Sequence, residues 1–341
     1  MKPSSRSYRV AVIYNSSDEH AEGDDVDLIS EKAVEDEAQA VMKALEKKGH
    51  QSFLFGLGLI EKDLVQITSA KPDMIFNLCE GYRGKARHEM FIAGLWELLG
   101  IPYSGNNPLT LGLAQNKVLT KRLLDSKRIP TPPYQVYRKV PESTFLTYPI
   151  IAKPACEDAS LGITQEAVIE NFDQLKVRVG HLLEKYQQPV LVEQFIDGRE
   201  FNVSVLGHSP ARVLAVSEID FSSIDTSFHK ITSYEAKWLK DHTLYKNTPA
   251  VCPAVIKSSL KHKLQEAALM TYQLLGGRDY GRVDFRVDED ENIYVLEFNP
   301  NPDISLDAGY SNALRAAGLK YADFVEYIIN QTMSRLNHDK N

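Results

Sequence analysis

One stretch near the C-terminus groups residue types that do metal and phosphate chemistry: Gly281-Arg-Val-Asp-Phe-Arg-Val-Asp288, a polar turn, then Ile293-Tyr-Val-Leu-Glu-Phe-Asn-Pro300. Two apolar runs flanking the polar turn Glu289–Asn292 read as a β-hairpin. Side chains alternate across a strand, so Arg282, Asp284 and Arg286 share one face, with Val283, Phe285 and Val287 on the other. In one of two registers Asp284 lies opposite Glu297. Like charges facing each other across a ladder repel and call for a cation between or beside them. An all-oxygen set of Asp284, Glu297 and Asn299 suits Mg²⁺ shared with phosphate oxygens. The alternative is a solvated hairpin face on which Arg282 and Arg286 neutralise the two acids.

Phosphates need a cradle, and the chain has no GxxxxGK[ST] loop. Its GxG, Gly56-Leu-Gly58, lacks the third glycine of a dinucleotide fingerprint and reads as a turn, which argues against a dehydrogenase. A different cradle is available at Lys153. This lysine ends the apolar strand Pro149–Lys153 and precedes the small-residue loop Ala155–Gly162, whose exposed N–H groups can fold over anionic oxygens. Further on, Val190–Ile196 carries Glu193, and Glu200 follows the turn Asp197-Gly-Arg199. Such acids can bind an adenine amino group and ribose hydroxyls, or simply edge a hairpin.

The remaining elements must hold these groups in place. Tyr8–Tyr14 is a short β-branched run followed by a polar loop and an amphipathic pattern over Ser30–Lys48. Lys71–Leu78 reads as another buried strand, and His88–Leu99 as a helix closed by Gly100. This β–α alternation implies a parallel sheet. From Asn106 a lysine-bearing helical stretch, a Pro-rich break at 129–133 and short strands over 149–153, 190–195, 200–206 and 213–219 suggest a mostly antiparallel α+β region. Helices are expected at 169–186, 256–275 and 314–336.

Several stretches, taken in order, resemble the ATP-grasp superfamily and within it the D-alanyl-D-alanine ligase family. They are Gly100–Gly105, Asn116-Lys117 with Thr120-Lys121, Ile151–Pro154, Ser160–Gly162, Val192-Glu193 with Gly198–Phe201, Tyr234–Lys237, Cys252–Ala254, and Gly281–Asp284 with Leu296–Asn299. The resemblance implies a three-part α/β and α+β architecture in which two α+β units sandwich ATP. The parts run over 1–105 (substrate side), 106–192 (with the phosphate lid) and 193–337 (with the metal site). It implies that Asp284, Glu297 and Asn299 bind two Mg²⁺ ions, with Mn²⁺ as a substitute. Lys117 and Lys153 would contact ATP phosphates, Ser160 would lie on the lid, Glu193 and Ile196 would flank adenine, and Glu200 would hold the ribose. Lys237 would close over the γ-phosphate and Arg282 would stabilise an oxyanion. The implied reaction activates a carboxylate as an acyl phosphate and joins it to an amine, with amino acids as the expected substrates.

The departures from the family pattern cluster on substrate recognition. The place of a glycine-rich segment ending in glutamate reads Asn15–His20, and a His-Gly pair is replaced by Asn77-Leu-Cys-Glu80-Gly81. A lid serine aligns with Ala159, a loop tyrosine with Trp238, and a carboxylate-gripping serine with Ala308. Glu80, with Arg83 or Arg87, is expected to bind substrate ammonium and carboxylate; a charged helix entry in water is the alternative. The leading expectation is therefore a ligase with altered specificity, beside D-alanyl-D-alanine synthesis and a non-catalytic ATP-binding module.

Composition sets the outer limits. The chain has 341 residues, enough for two or three domains, and a formal charge of -7 that offers no bulk attraction to nucleic acid or an anionic membrane. Its three cysteines lack CxxC spacing, and no apolar run is long enough to span a membrane. Both point to a cytoplasmic protein with incidental thiols, Cys156 on the lid being the one to watch. The family resemblance adds a homodimer to these expectations.

Overall fold

The computed structural model describes residues 6–16, 25–157, 160–239 and 241–338; the side chains of 25–33, 238, 337 and 338 are outside that description. Among the described residues twelve strands form three sheets. The first contains β1 (Arg9–Asn15), β2 (Gln51–Leu57) and β3 (Met74–Asn77), all parallel, in the order β2-β1-β3. Helices α1 (Asp25–Lys47), α2 (Ile60–Ser69) and α3 (Glu89–Leu98) alternate with these strands. The β–α pattern thus built the parallel sheet it implied. Gly56 is a strand residue of β2 instead of a turn. A Cβ there would come within 2.7 Å of Ser16 Cβ, so close packing against the β1 exit accounts for the glycine.

Helices α4 (Pro108–Gln115) and α5 (Lys117–Ser126) follow, capped by Asn107 and Asn116, whose side chains accept the N–H groups of Thr110 and Leu119. The second sheet is antiparallel, in the order β4-β7-β5-β6, from β4 (Tyr134–Tyr137), β5 (Ile150–Pro154), β6 (Val168–Ile169) and β7 (Val190–Gln194). Its face is covered by α6 (Phe172–Tyr186), which buries Leu175, Val179 and Leu182.

The third sheet is also antiparallel: β8 (Arg199–Leu206), β9 (Arg212–Ile219), β10 (Ala250–Val251), β11 (Tyr280–Val287) and β12 (Ile293–Asn299), in the order β10-β9-β8-β11-β12. Two short helices, α7 (Tyr234–Trp238) and α8 (Thr243–Lys246), lie between β9 and β10, and α9 (Ser258–Leu274) covers the apolar face. The change of sheet falls between Gln194 and Arg199, whereas the expected division at 192/193 lies inside β7.

The expected single helix over 314–336 is two, α10 (Gly309–Ala316) and α11 (Tyr321–His338). Gly318 adopts φ +74°, and its N–H and that of Leu319 close onto Arg315 and Leu314, ending α10 with a glycine turn. Both helices pack with α1, β1 and β3 in one apolar core that includes Val12, Val41, Phe76, Tyr310, Phe324 and Ile328. Helices α10 and α11 are thereby fastened to the first sheet.

Candidate active site

The hairpin adopts the register that puts the two acids together. Asp284 is paired with Glu297 and Arg282 with Asn299, and a bulge follows Asp284. Four N–H donors converge on the Asp284 carboxylate. Arg282 grips it with Nε and Nη2, both at 2.7 Å, while Asn299 and Asn202 amides donate at 2.9 and 2.8 Å. Asn202, on the neighbouring strand β8 directly opposite Asp284, was missed from sequence. Its position two residues after Glu200, on the same face of a strand, was the available signal.

Glu297 lies 3.4 Å from Lys117 Nζ. Burial works to raise its pKa, but Lys117, Lys153, Lys237 and Arg282 together outweigh it and hold the carboxyl at about 2. Four cations from four separate segments therefore look onto one acid. Among the described residues no three His, Cys, Asp or Glu side chains form a metal cage. The hairpin offers two carboxylates and an amide, an incomplete hard-oxygen shell of the kind magnesium completes with phosphate or water oxygens.

Lys153, at the end of β5, does not stand free. Its ammonium and that of Lys121 hold the two oxygens of Glu193, and all three side chains are buried. Burial pushes Glu193 toward neutrality, but the two lysines prevail and its pKa is lowered. Lys121 is pushed down to about 8, burial outweighing the pull of Glu193. Lys121 also donates to Val295 O at 3.1 Å, linking the second sheet to β12. Lys117 begins α5 and donates to Glu157 O at 2.5 Å, at the base of the lid loop.

The lid is docked. Ser160, at φ +61°, donates to Thr232 O at 3.0 Å, and Tyr234 N–H donates to Ile163 O at 2.8 Å. Gln165 and His229 add a further pair of bonds between the same segments. The docked segment 229–234 leads into α7, which carries Lys237 and is capped by Ser233. Ala159 lies outside the described residues, as does the side chain of Trp238.

Ile196 is buried, as is Glu200, which accepts from Thr232 Oγ1 at 2.7 Å and pairs with Arg286 at 3.2 Å. Burial raises the Glu200 pKa despite Arg286. Arg286 sits over the rings of Phe195 and Phe221, at 5.7 and 5.3 Å. It thus serves Glu200 and these two rings, and Arg282 alone of the two arginines pairs with Asp284.

Glu80 follows the exit of β3, its N–H donating to Asn15 Oδ1 at 2.7 Å. The segment after Asn299 comes up to it: Asn301 Nδ2 donates to Cys79 O at 3.3 Å. Arg83 is exposed, with its guanidinium 5.3 Å from the Tyr82 ring, and Arg87 is exposed as well. The structure brings Glu80 to the segment that follows Asn299 and leaves Arg83 and Arg87 exposed.

Residues 111–330 match the family model described as D-ala D-ala ligase C-terminus. The chain belongs to the D-alanyl-D-alanine ligase family. A D-alanine--D-alanine ligase of Bordetella pertussis is 32% identical over 335 residues, covering 96% of each chain. An uncharacterized protein, y4sG, of Sinorhizobium fredii is 33% identical over 300 residues, covering 86% of each. In fold, the chain is similar to the D-alanine--D-alanine ligase of Bacillus anthracis crystallised with ATP, with a TM-score of 0.76 at 21% identity over 98% of this chain and all of that one. The α/β and α+β ATP-grasp architecture expected from sequence, a parallel N-terminal sheet followed by antiparallel ones, is the one observed.

Proposed function

We propose that this D-alanyl-D-alanine ligase family member is an ATP- and magnesium-dependent ligase that joins the carboxylate of one amino-acid-like substrate to the amine of another. The observation that carries the reading is the opposed pair Asp284 and Glu297, faced by Arg282, Lys117, Lys153 and Lys237. Such an array neutralises a polyphosphate and the charge that develops during phosphoryl transfer.

In this reading Asp284, Glu297 and Asn299 would hold Mg²⁺, or Mn²⁺ in its place, through their side-chain oxygens. Bound there, the metal would supply charge neutralisation of the phosphates. Lys117 and Lys153 hold ATP phosphates, Glu193 and Ile196 border the adenine, Glu200 binds the ribose, and Lys237 reaches the γ-phosphate. The docked Ser160 lid excludes water, which protects an acyl phosphate from hydrolysis. A substrate carboxylate oxygen attacks the γ-phosphorus and ADP leaves. The second substrate's amine nitrogen then attacks the acyl carbon, phosphate departs, and the nitrogen loses a proton. Arg282 stabilises the oxyanion formed in that addition.

Altered specificity is part of the proposal. Glu80 occupies the substrate side and binds an ammonium group, with Arg83 and Trp238 as further candidate contacts. Phe91 and Leu98, seven residues apart on one face of α3, are 60% and 89% exposed and supply an apolar surface for a homodimer. Three cysteines far apart in sequence and without CxxC spacing support a reducing, cytoplasmic setting, and no helix among the described residues is long and apolar enough to cross a membrane.

The test is ADP release with MgATP over a panel of D- and L-amino acids, singly and in pairs. Turnover with a pair other than D-alanine supports altered specificity, whereas turnover with D-alanine alone restores the cell-wall reaction. Asp284→Ala is expected to lower turnover roughly 100-fold or more. ATP binding without turnover for any pair would leave the non-catalytic module as the better reading.

A further inference from the structure

Glu37 lies in the middle of α1, with no place in the chemistry above, yet its side chain is among the most buried acids of the molecule at 4% exposure. It sits beside the core that joins α1 to α10 and α11. Its Oε1 accepts the N–H of Ile304 at 2.8 Å, across 267 residues of sequence. Ile304 belongs to the segment 300–308, which follows directly on Asn299 and has no regular structure of its own before α10.

That segment is also anchored at both ends. Asn106 Nδ2 donates to Pro300 O at 2.6 Å, Tyr280 Oη donates to Asn301 Oδ1 at 3.2 Å, and Asn301 reaches Cys79 O. These grip its first two residues, while from α10 Ser311 Oγ donates to Ile304 O at 2.9 Å and Arg315 Nη1 to Leu306 O at 2.7 Å, so that the Ile304 N–H is the point Glu37 holds. Glu37 holds the next part, beside Asp303. Asp303 in turn is one of the acids whose charge acts on Arg282.

We infer that Glu37 is a positioning residue for the ligase reaction: by its hydrogen bond to Ile304 it fixes segment 300–308, and with it Asp303, against the substrate side of Arg282. The inference rests on the proposed function and adds to it a residue of α1 that touches neither ATP nor metal. Burial, with the charges of Asp303 and Glu80 nearby, raises the Glu37 carboxyl well above the usual range, the direction that favours its neutral form. An amide of the same shape can do the same work, whereas an apolar side chain cannot.

The test compares the full-length wild type with Glu37→Gln and Glu37→Leu. Amide hydrogen exchange over 300–308 is followed with and without MgATP, and steady-state kinetics use whichever amino-acid pair the panel turns over. Glu37→Leu is expected to exchange roughly tenfold faster in this segment, and to raise KM for an amino-acid substrate several-fold with KM for MgATP unchanged. Glu37→Gln is expected to restore both. Unchanged exchange in Glu37→Leu overturns the inference, as does faster exchange with both KM values unaltered, or a Gln variant that behaves like Leu. Absence of turnover in the wild type would count against the ligase reading, while the exchange arm still reports on the Glu37 tether.

Discussion

Glu193→Gln isolates the buried charge system of Lys121, Lys153 and Glu193. Glu193 is 1% exposed and neutralises two ammonium groups, one of which, on Lys121, is fully buried. The amide keeps the shape and removes the charge, leaving two buried cations facing each other. Removing one partner from a buried ion pair costs about 3–5 kcal/mol. The penalty has a pH signature. Lys121 already has its folded-state pKa depressed to about 8 from 10.5. A base depressed in this way binds more protons unfolded than folded between those two values, so it adds stability as pH rises through that window, by about 1.4 kcal/mol per unit. Without Glu193 the folded pKa of Lys121 drops further and its window opens below pH 8. The variant then gains stability between that lower value and pH 8 while the wild type does not, and the deficit shrinks. Urea unfolding followed by tryptophan fluorescence at pH 6, 7 and 8 reads the difference directly. A deficit below about 1 kcal/mol at pH 6, or one that widens toward pH 8, would refute the reasoning.

Two further variants probe the geometry around the same cleft. Gly198 sits at φ +143°, and an added Cβ would lie 2.1 Å from Val287 O, against the hairpin; Gly198→Ala is expected to destabilise the protein by about 2–4 kcal/mol in urea unfolding. Ser160→Ala removes the hydroxyl that docks the lid on Thr232 and is expected to raise KM for ATP about fivefold with little change in global stability.

Much of the site was legible because strand alternation is a local rule. Arg282 and Asp284 share a face by spacing alone, and the run Ile293–Asn299 supplied the matching strand. Which register they took was open, and the structure chose the one that opposes Asp284 to Glu297. The turn assigned to Gly56 was wrong for a physical reason: a glycine needed for close approach to Ser16 looks in sequence like one needed for a turn. The single helix expected over 314–336 failed because Gly318 and the following Leu-Lys were read through as part of one apolar period.

By itself, the sequence determined the alternation of strands and helices, the hairpin that carries Arg282, Asp284, Glu297 and Asn299, and the order of motifs that marks the family. These depend on neighbours within a few residues, where side-chain period and turn chemistry act. Only the tertiary structure decided what lies across the gaps. Lys121 and Lys153 share Glu193, Asn202 donates to Asp284 from a strand some eighty positions earlier, Ser160 closes on Thr232, and Glu37 of the first long helix holds Ile304. Each of these pairs a charged or polar group with a distant partner. Burial makes the partner necessary, because an unpaired polar group away from water is costly, but local sequence carries no record of which distant residue will supply it.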